Sequence, residues 1–289
     1  MCNATNSLDF SIMERTAFTK MYKKAKEKGT EAISMEYDIP QEEVEVLLPS
    51  LIVLNRLLKY TVNDSILLSN VLLSDAVMFE MLFPKEASFV VKAYEEFTLQ
   101  SATSIAERFG RDIGHISRVS SVAIEIYDKM KKLHGYKSRE RTLLQVSAIL
   151  QDIGKYVNVK NHALLSYNTI TNLDIVGIND HERLIIATVC YYHNGNIPSM
   201  DSPIYNQLSQ EDRVMVSKLA AILQISNAIN TSHSPKFEQV SVNMKNGKLN
   251  IYLTTLKNIN LEKWAFIAKS KLFKEVYGLN ATIIKRGVL

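Results

Sequence analysis

The stretch Leu144-Gln145-Val146-Ser147-Ala148-Ile149-Leu150-Gln151-Asp152-Ile153-Gly154-Lys155 decides the fold. Up to Gln151 it reads as the second half of a helix that begins near Glu140. Leu144 and Ala148 stand four residues apart on one stripe, and Asp152 continues that stripe at the helix end. Gly154 and Asn158 then mark an irregular stretch. An aspartate delivered on an apolar stripe points into a core, where a polar side chain is costly unless it is paired.

Partners for it are predicted on the neighbouring helices. The spacing gives a helix over Arg111–Leu133, with Ile116, Val119, Val122, Ala123, Ile126, Met130 and Leu133 on one stripe that His115 shares. Further helices follow at His162–Asn172, Asp180–His193 and Ser209–Asn230, so His162 opens one and His193 closes another. The last begins with Ser209-Gln210-Glu211-Asp212, resembling a capping box with Asp in place of Glu or Gln. Its stripe runs Val216, Ala220, Leu223, Asn227, Asn230. Polar groups converging from separate helices are how bundles build metal sites.

On either side of this helical segment the pattern changes. The first hundred residues read as mixed α/β: a charged helix over Met13–Lys28 stopped by Gly29, a helix from Pro40 to about Lys59, a short buried strand at Ser65–Leu68, and a short helix capped by Ser74 or Asp75. At the other end, Phe237–Met244 and Lys248–Thr255 alternate apolar and polar residues across Asn246-Gly247, a hairpin signal. A helix over Leu261–Tyr277 and a strand over Ala281–Lys285 complete a ββαβ piece. The fold class expected is mostly α with small α+β pieces.

Ten glycines and six prolines argue against an all-β chain. The two cysteines, Cys2 and Cys190, suggest no disulfide framework and fit a reducing compartment. The N-terminus lacks a secretion-signal pattern, and the most apolar runs are interrupted by charge before they reach the length of a membrane span. The expectation is a cytoplasmic protein with no membrane partner. Net charge is +4 but uneven: residues 1–100 carry 10 Lys and Arg against 15 Asp and Glu, residues 108–160 carry 11 against 5, and residues 236–289 carry 10 against 3. Two basic segments on a near-neutral chain suggest a polyanion-binding surface; the alternative is solvated helix faces.

Residues 148–155 resemble the A-x-L-H-D-I-G-K signature of HD-domain phosphohydrolases. The continuation Asn158-Val159-Lys160-Asn161-His162-Ala163-Leu164-Leu165-Ser166-Tyr167, together with Tyr192-His193-Asn194, is similar to the helical domain of the exopolyphosphatase/guanosine-pentaphosphate phosphatase (Ppx/GppA) family. Ser104-Ile105-Ala106-Glu107-Arg108-Phe109 leading to His115 resembles that family's first HD helices. Glu45–Asp75, with Leu47-Leu48-Pro49-Ser50-Leu51 and Leu72-Leu73-Ser74-Asp75, resembles the end of its actin-like domain. The resemblance spans roughly residues 35–289. It implies three parts: a remnant of the second actin-like lobe over 1–84, an HD-type helical domain over 85–234 and a ββαβ subdomain over 235–289.

It also implies a site, His115, Gln151, Asp152, His162, His193 and Asn227, whose metal-binding capacity has decayed. The doublet histidine of the signature is Gln151 here, and the late aspartate falls at Asn227. An amide brings no charge to a cation, so no metal is expected; His115 and Asp152 would be the ligands if one bound. In the intact family Mg²⁺ acts with Gly-rich phosphate loops of the actin-like half, and residues 1–100 hold a single glycine, Gly29. The chain is therefore expected to lack the hydrolytic centre and to need no cofactor. What the resemblance leaves is binding of polyphosphate or a phosphorylated nucleotide, with Arg108, Arg111, Arg118, Lys131, Lys132 and Lys155 as candidate contacts. His162 and His193 are candidate donors to phosphate, while His134, His181 and His233 call for no functional account. No specific nucleic-acid partner is expected; a homodimer or association with another subunit is. Two alternatives stand beside this reading: a regulatory HD-type module sensing a nucleotide or docking to a paralogue, and a working phosphohydrolase with an unconventional metal shell.

Overall fold

The computed structural model describes residues 10–69, 73–85, 88–234, 236–237, 239–245 and 247–287. The fold is mostly α with one two-stranded and one three-stranded sheet, and the chain divides into two compact units, Met1–Ser88 and Phe89–Leu289.

In the first unit a strand, Phe10–Glu14 (β1), leads into helices Arg15–Tyr37 (α1) and Gln41–Leu58 (α2), then strand Ser65–Ser69 (β2) and helix Leu73–Leu82 (α3). β1 and β2 pair antiparallel, with Phe10 opposite Ser69 and Glu14 opposite Ser65. Phe18, Ala25, Ile33, Val44 and Leu51 form the small core. Gly29 ends the first helical stretch, as the sequence suggests: its φ 74° and ψ 168° are not helical, and a second stretch running to Tyr37 starts beyond the kink. That second stretch places Ile33 in the core with Phe18 and Ala25. One expectation is corrected here. The strand at Ser65–Ser69 is not buried: it has one partner strand among the described residues, and Leu67 is 63% exposed.

The second unit runs through helices Ser88–Arg108 (α4), Ile113–Lys129 (α5), Lys131–His134 (α6) and Ser138–Leu150 (α7), and a 3-10 turn at Ile153–Tyr156. It continues with helices His162–Ile170 (α8), Asp180–Tyr192 (α9), Pro203–Asn206 (α10) and Gln210–Ile229 (α11). Strands Gln239–Lys245 (β3) and Lys248–Thr254 (β4), helix Asn260–Tyr277 (α12) and strand Asn280–Arg286 (β5) close the chain. α11 is the spine: its apolar residues are buried on more than one face, from Val216 to Ile229, and α5, α9 and α12 pack around it. Ser209 caps it, its hydroxyl accepting from the Asp212 N–H. β3 and β4 pair antiparallel and β4 and β5 parallel, with Val242, Ile251 and Ile283 in register. Alternation along β4 buries Leu249, Ile251 and Leu253 in the same core as Phe266 and Phe273 of α12 and the bundle helices. Asn246 of the hairpin turn lies outside the described residues; Gly247 takes φ +66°.

The helix expected over Arg111–Leu133 is two. Asp112 starts α5 by accepting from the Gly114 N–H, which leaves Arg111 outside it. At Met130, fully buried with ψ near 6°, the amide is shared between the Ile126 and Tyr127 carbonyls, and a single turn, α6, follows before Gly135.

That turn tucks His134 into the core, where it is a structural group. Its Nδ1 accepts from the Tyr136 N–H (3.0 Å), so Nε2 carries the hydrogen and donates to the Tyr127 carbonyl (2.9 Å). Burial pushes its pKa down. A histidine whose folded pKa is depressed contributes stability that is fully present above the unfolded value of about 6.5 and is lost as pH falls through the folded value. His134→Gln, which keeps one donor and one acceptor, should flatten the acid side of a stability–pH profile by up to ~1.4 kcal/mol per pH unit. A slope unchanged by the substitution would exclude His134 as a contributor.

Candidate functional site

Several helix ends of the second unit meet at one carboxylate. α7 ends at Gln151 and hands on Asp152; His162 is the first residue of α8; His193 follows the last residue of α9; His115 lies in the first turn of α5; and Asn230 ends α11. The 3-10 turn after Asp152 is held by Lys155 N–H to the Asp152 carbonyl (3.0 Å) and Val157 N–H to the Gly154 carbonyl (3.0 Å). It rests directly on α8. The Gly154 N–H donates to Ser166 Oγ (2.9 Å), which donates to the Gln151 carbonyl (2.8 Å). A Cβ on Gly154 would overlap the His162 carbonyl oxygen. Glycine is therefore what lets the turn and the start of α8 approach, and that approach brings His162 to Asp152.

Asp152 is 5% exposed, and its two oxygens face different neighbours. Oδ1 lies 3.2 Å from His193 Nε2 and 3.7 Å from His162 Nε2. Oδ2 lies 2.7 Å from Lys155 Nζ and 3.9 Å from His115 Nε2. The two Nε2 atoms of His162 and His193 are 3.3 Å apart, and each ring's Nδ1 is tied to a backbone carbonyl: Val159 at 2.7 Å for His162 and Cys190 at 2.5 Å for His193. Asp152, His162 and His193 are the group, among the described residues, whose donor atoms stand close enough together to hold a metal ion.

On the Oδ2 side is a cavity of about 40 Å³, lined by Arg111, Asp112, His115, Gln151, Asp152 and His233 among others. That is room for a water molecule or a small ion. His115 Nδ1 is 2.7 Å from Asn230 Nδ2, and its ring stacks on His233 with centroids 4.1 Å apart. His115 Nε2, both amide atoms of Gln151 and Asn230 Oδ1 are buried without a hydrogen-bond partner among the described residues.

The electrostatics follow from burial among cations. Burial alone would raise the Asp152 carboxyl; His193 and Lys155 outweigh it and hold the group ionised, well below the usual carboxylate range. Burial, with His233, Lys155 and Arg118 adding like charge, pushes His115 down to about 4. His162 and His233 are lowered for the same first reason, burial. Lys269, half-buried on α12, is also lowered by burial, against a pull upward from Asp152.

The structure thus brings together His115, Gln151, Asp152, His162, His193, Lys155, Arg111 and Arg118 of the residues singled out in the sequence. Asn227 stands apart: it is half-buried on α11 and its carbonyl accepts from the Asn230 N–H, while Asn230 is the amide beside His115. Lys131 and Lys132 lie past the far end of α5, about 24 Å along the helix axis from His115. Arg108 is exposed at the end of α4. Two contributors went unread, His233 and Lys269. Lys269 had a signal: it sits on the stripe Glu262, Phe266, Lys269, Phe273 of α12, where an apolar residue would be expected.

No helix among the described residues is long and apolar enough to cross a membrane. A family model described as Ppx/GppA phosphatase, domain III, matches residues 99–272. The match runs from α4 into α12, takes in every side chain of the site and covers more than half of the chain; the chain belongs to the Ppx/GppA phosphatase family.

Proposed function

We propose that the second unit binds a phosphate polyanion, polyphosphate or a phosphorylated nucleotide, and does not hydrolyse it on its own. One observation carries this reading. Arg111 and Lys269 are half-buried beside Asp152, and Arg118 beside His115, yet among the described residues no carboxylate lies within 4.0 Å of their cationic nitrogens; Asp112 and Asp152 act on Arg118 and Lys269 only from further off. Half-buried cations without a paired carboxylate are costly. A chain of phosphates repays that cost by charge-assisted hydrogen bonds, strongest to arginine. Lys155 adds a fourth cation, and its partner Asp152 neutralises only one.

Absence of turnover rests on the Oδ2 side of the site. We read the bundle as HD-type, with Gln151 in the place of the doublet histidine and Asn230 in that of the late aspartate. Two neutral amides there give a divalent cation little charge to sit on and little means of acidifying a bound water.

The test is binding of fluorescently labelled polyphosphate by the full chain, followed by anisotropy at low and raised salt, with phosphate release assayed in Mg²⁺ and Mn²⁺. Affinity should fall steeply with salt. Lys269→Ala and Arg111→Ala should each weaken it about tenfold, and no phosphate should be released. A folded chain that ignores polyphosphate at low salt ends the reading. Phosphate release abolished by Asp152→Ala would replace it with that of a metal-dependent hydrolase.

A further inference from the structure

We infer that Asp152, His162 and His193 form a site for a divalent transition-metal ion of the zinc class. This does not rest on the phosphate reading, and it uses the opposite oxygen of Asp152 from the one that faces Lys155 and His115.

The argument starts from where the hydrogens are. A backbone carbonyl can only accept, so the contacts of His162 Nδ1 to Val159 and of His193 Nδ1 to Cys190 put the hydrogen of each neutral ring on Nδ1. With both rings neutral, both Nε2 atoms present bare lone pairs; a cationic His193 holding Asp152 ionised is what a proton, and not a metal ion, in this place would give. The two Nε2 atoms point at one another across 3.3 Å and at Asp152 Oδ1, itself an acceptor without a hydrogen-bond partner among the described residues. Three lone pairs closing on one buried point repel unless a cation stands between them. One added proton could bridge only part of this cluster, whereas a metal ion would engage all three atoms together.

The spacing selects the geometry. Ligand atoms at about 2.0–2.1 Å from a tetrahedral metal stand about 3.3–3.4 Å from one another, while neighbouring ligands of an octahedral one stand at about 2.9–3.0 Å. The three separations here, 3.2, 3.3 and 3.7 Å, fit the tetrahedral set. Two imidazoles with one carboxylate suit a borderline metal rather than Mg²⁺ or Ca²⁺. The outer contacts have the form that orients metal ligands: a carbonyl on each Nδ1–H, and Lys155 on the carboxylate oxygen turned away from the histidines. Burial excludes competing water, with His193 1% and His162 7% exposed. Three protein ligands leave at least one coordination position for a water or a phosphate oxygen.

The experiment is titration of the chelator-stripped full chain with Co²⁺, read by visible d–d absorption, and with Zn²⁺, read by calorimetry. Circular dichroism confirms that each sample is folded. The expected result is about one equivalent bound with tetrahedral-type Co²⁺ intensity, and a loss of at least a hundredfold in affinity in His162→Gln and in Asp152→Asn. Either variant alone suffices if the other misfolds. Polyphosphate binding by the stripped chain is measured in parallel, so that loss of one property is distinguished from loss of the other. Wild-type chain that is folded and takes up no Co²⁺ or Zn²⁺ overturns the inference, and so does equal uptake by a folded His162→Gln variant. Nitrogen NMR of the stripped chain showing a histidinium with a protonated Nε2 at neutral pH, with no change on adding Zn²⁺, would assign the place to a proton instead and overturn it as well.

Discussion

Gly154→Ala is expected to lower the unfolding free energy of the second unit by about 3 kcal/mol, at the upper end of what overpacking costs. The added methyl would meet the His162 carbonyl oxygen, the Ser166 amide nitrogen and the Leu165 carbonyl carbon. All three are backbone atoms of α8, so no side chain can rotate out of the way and either the 3-10 turn or the helix must move. Moving the turn strains the Gly154 N–H to Ser166 Oγ bond and the Ser166 bond to the Gln151 carbonyl; moving α8 withdraws His162 from Asp152. Metal binding should therefore fall together with stability. Two other glycines separate this from a generic glycine effect. Gly110 has φ +64° with open space around it, so alanine there should cost about 1 kcal/mol of backbone strain only. Gly287 has neither constraint and should be neutral. The check is urea denaturation of the three variants; a Gly154→Ala chain that unfolds with the wild type would show that the close approach does not build the site.

Gly154 also marks what the sequence made legible. The stripes of α5, α7 and α11 were readable because an apolar residue every three or four positions has no other explanation, and they placed His115 and Asp152 on one interior; His193 was read only as the end of a helix. The pattern says less where a helix ends. The α11 stripe carries both Asn227 and Asn230 and does not choose between them; Asn230 is the terminal residue at φ −113°, and its amide is the one that reaches His115. Met130 splits α5 from α6: a buried side chain holds a conformation that the apolar pattern alone would continue as helix. His233 takes φ 52° in the loop after α11, and no periodicity announces a stacking partner for His115 from a left-handed loop residue. The first unit was less legible still, because its small core gives each local signal less to agree with.

Arg139→Ala should cost about 2 kcal/mol, although it lies a full helix length from Asp152. Arg139 in the first turn of α7 donates Nε–H to Glu182 Oε1 (2.6 Å) and Nη2–H to both Glu182 Oε2 (2.5 Å) and the Gly177 carbonyl (2.7 Å). Glu182 stands in the first turn of α9 and also accepts from the Asn179 N–H. α7 and α9 are each 13 residues long, about 20 Å. They start together at this pair, touch again in their last turns where the Cys190 thiol donates to the Ser147 carbonyl (3.3 Å), and finish together at Asp152 and His193. The pair thus sets the axial register that places an imidazole against a carboxylate at the other end. Losing Arg139 leaves Glu182, whose side chain is 12% exposed, with one hydrogen bond, and leaves the Gly177 carbonyl without its donor. Partial exposure of the arginine keeps the cost below that of a fully buried pair. Arg139→Lys should recover only part of it, since an ammonium cannot make the two-pronged contact.

The pH dependence identifies the mechanism. Burial pushes the Glu182 carboxyl up, but the hydrogen bonds from Arg139 and from the Asn179 amide outweigh it and hold the group below its usual range. A carboxylate with a depressed folded pKa contributes stability that is present above the unfolded value of about 4.3 and is lost as pH falls through the folded one. The difference between wild type and Arg139→Ala, measured by denaturation from pH 7 downward, should therefore hold near 2 kcal/mol at neutral pH and shrink below about pH 4. A difference that stays constant into acid would mean that Arg139 acts through the packing of its aliphatic stem, and that the register of α7 against α9 is set by their cores and not by this ion pair.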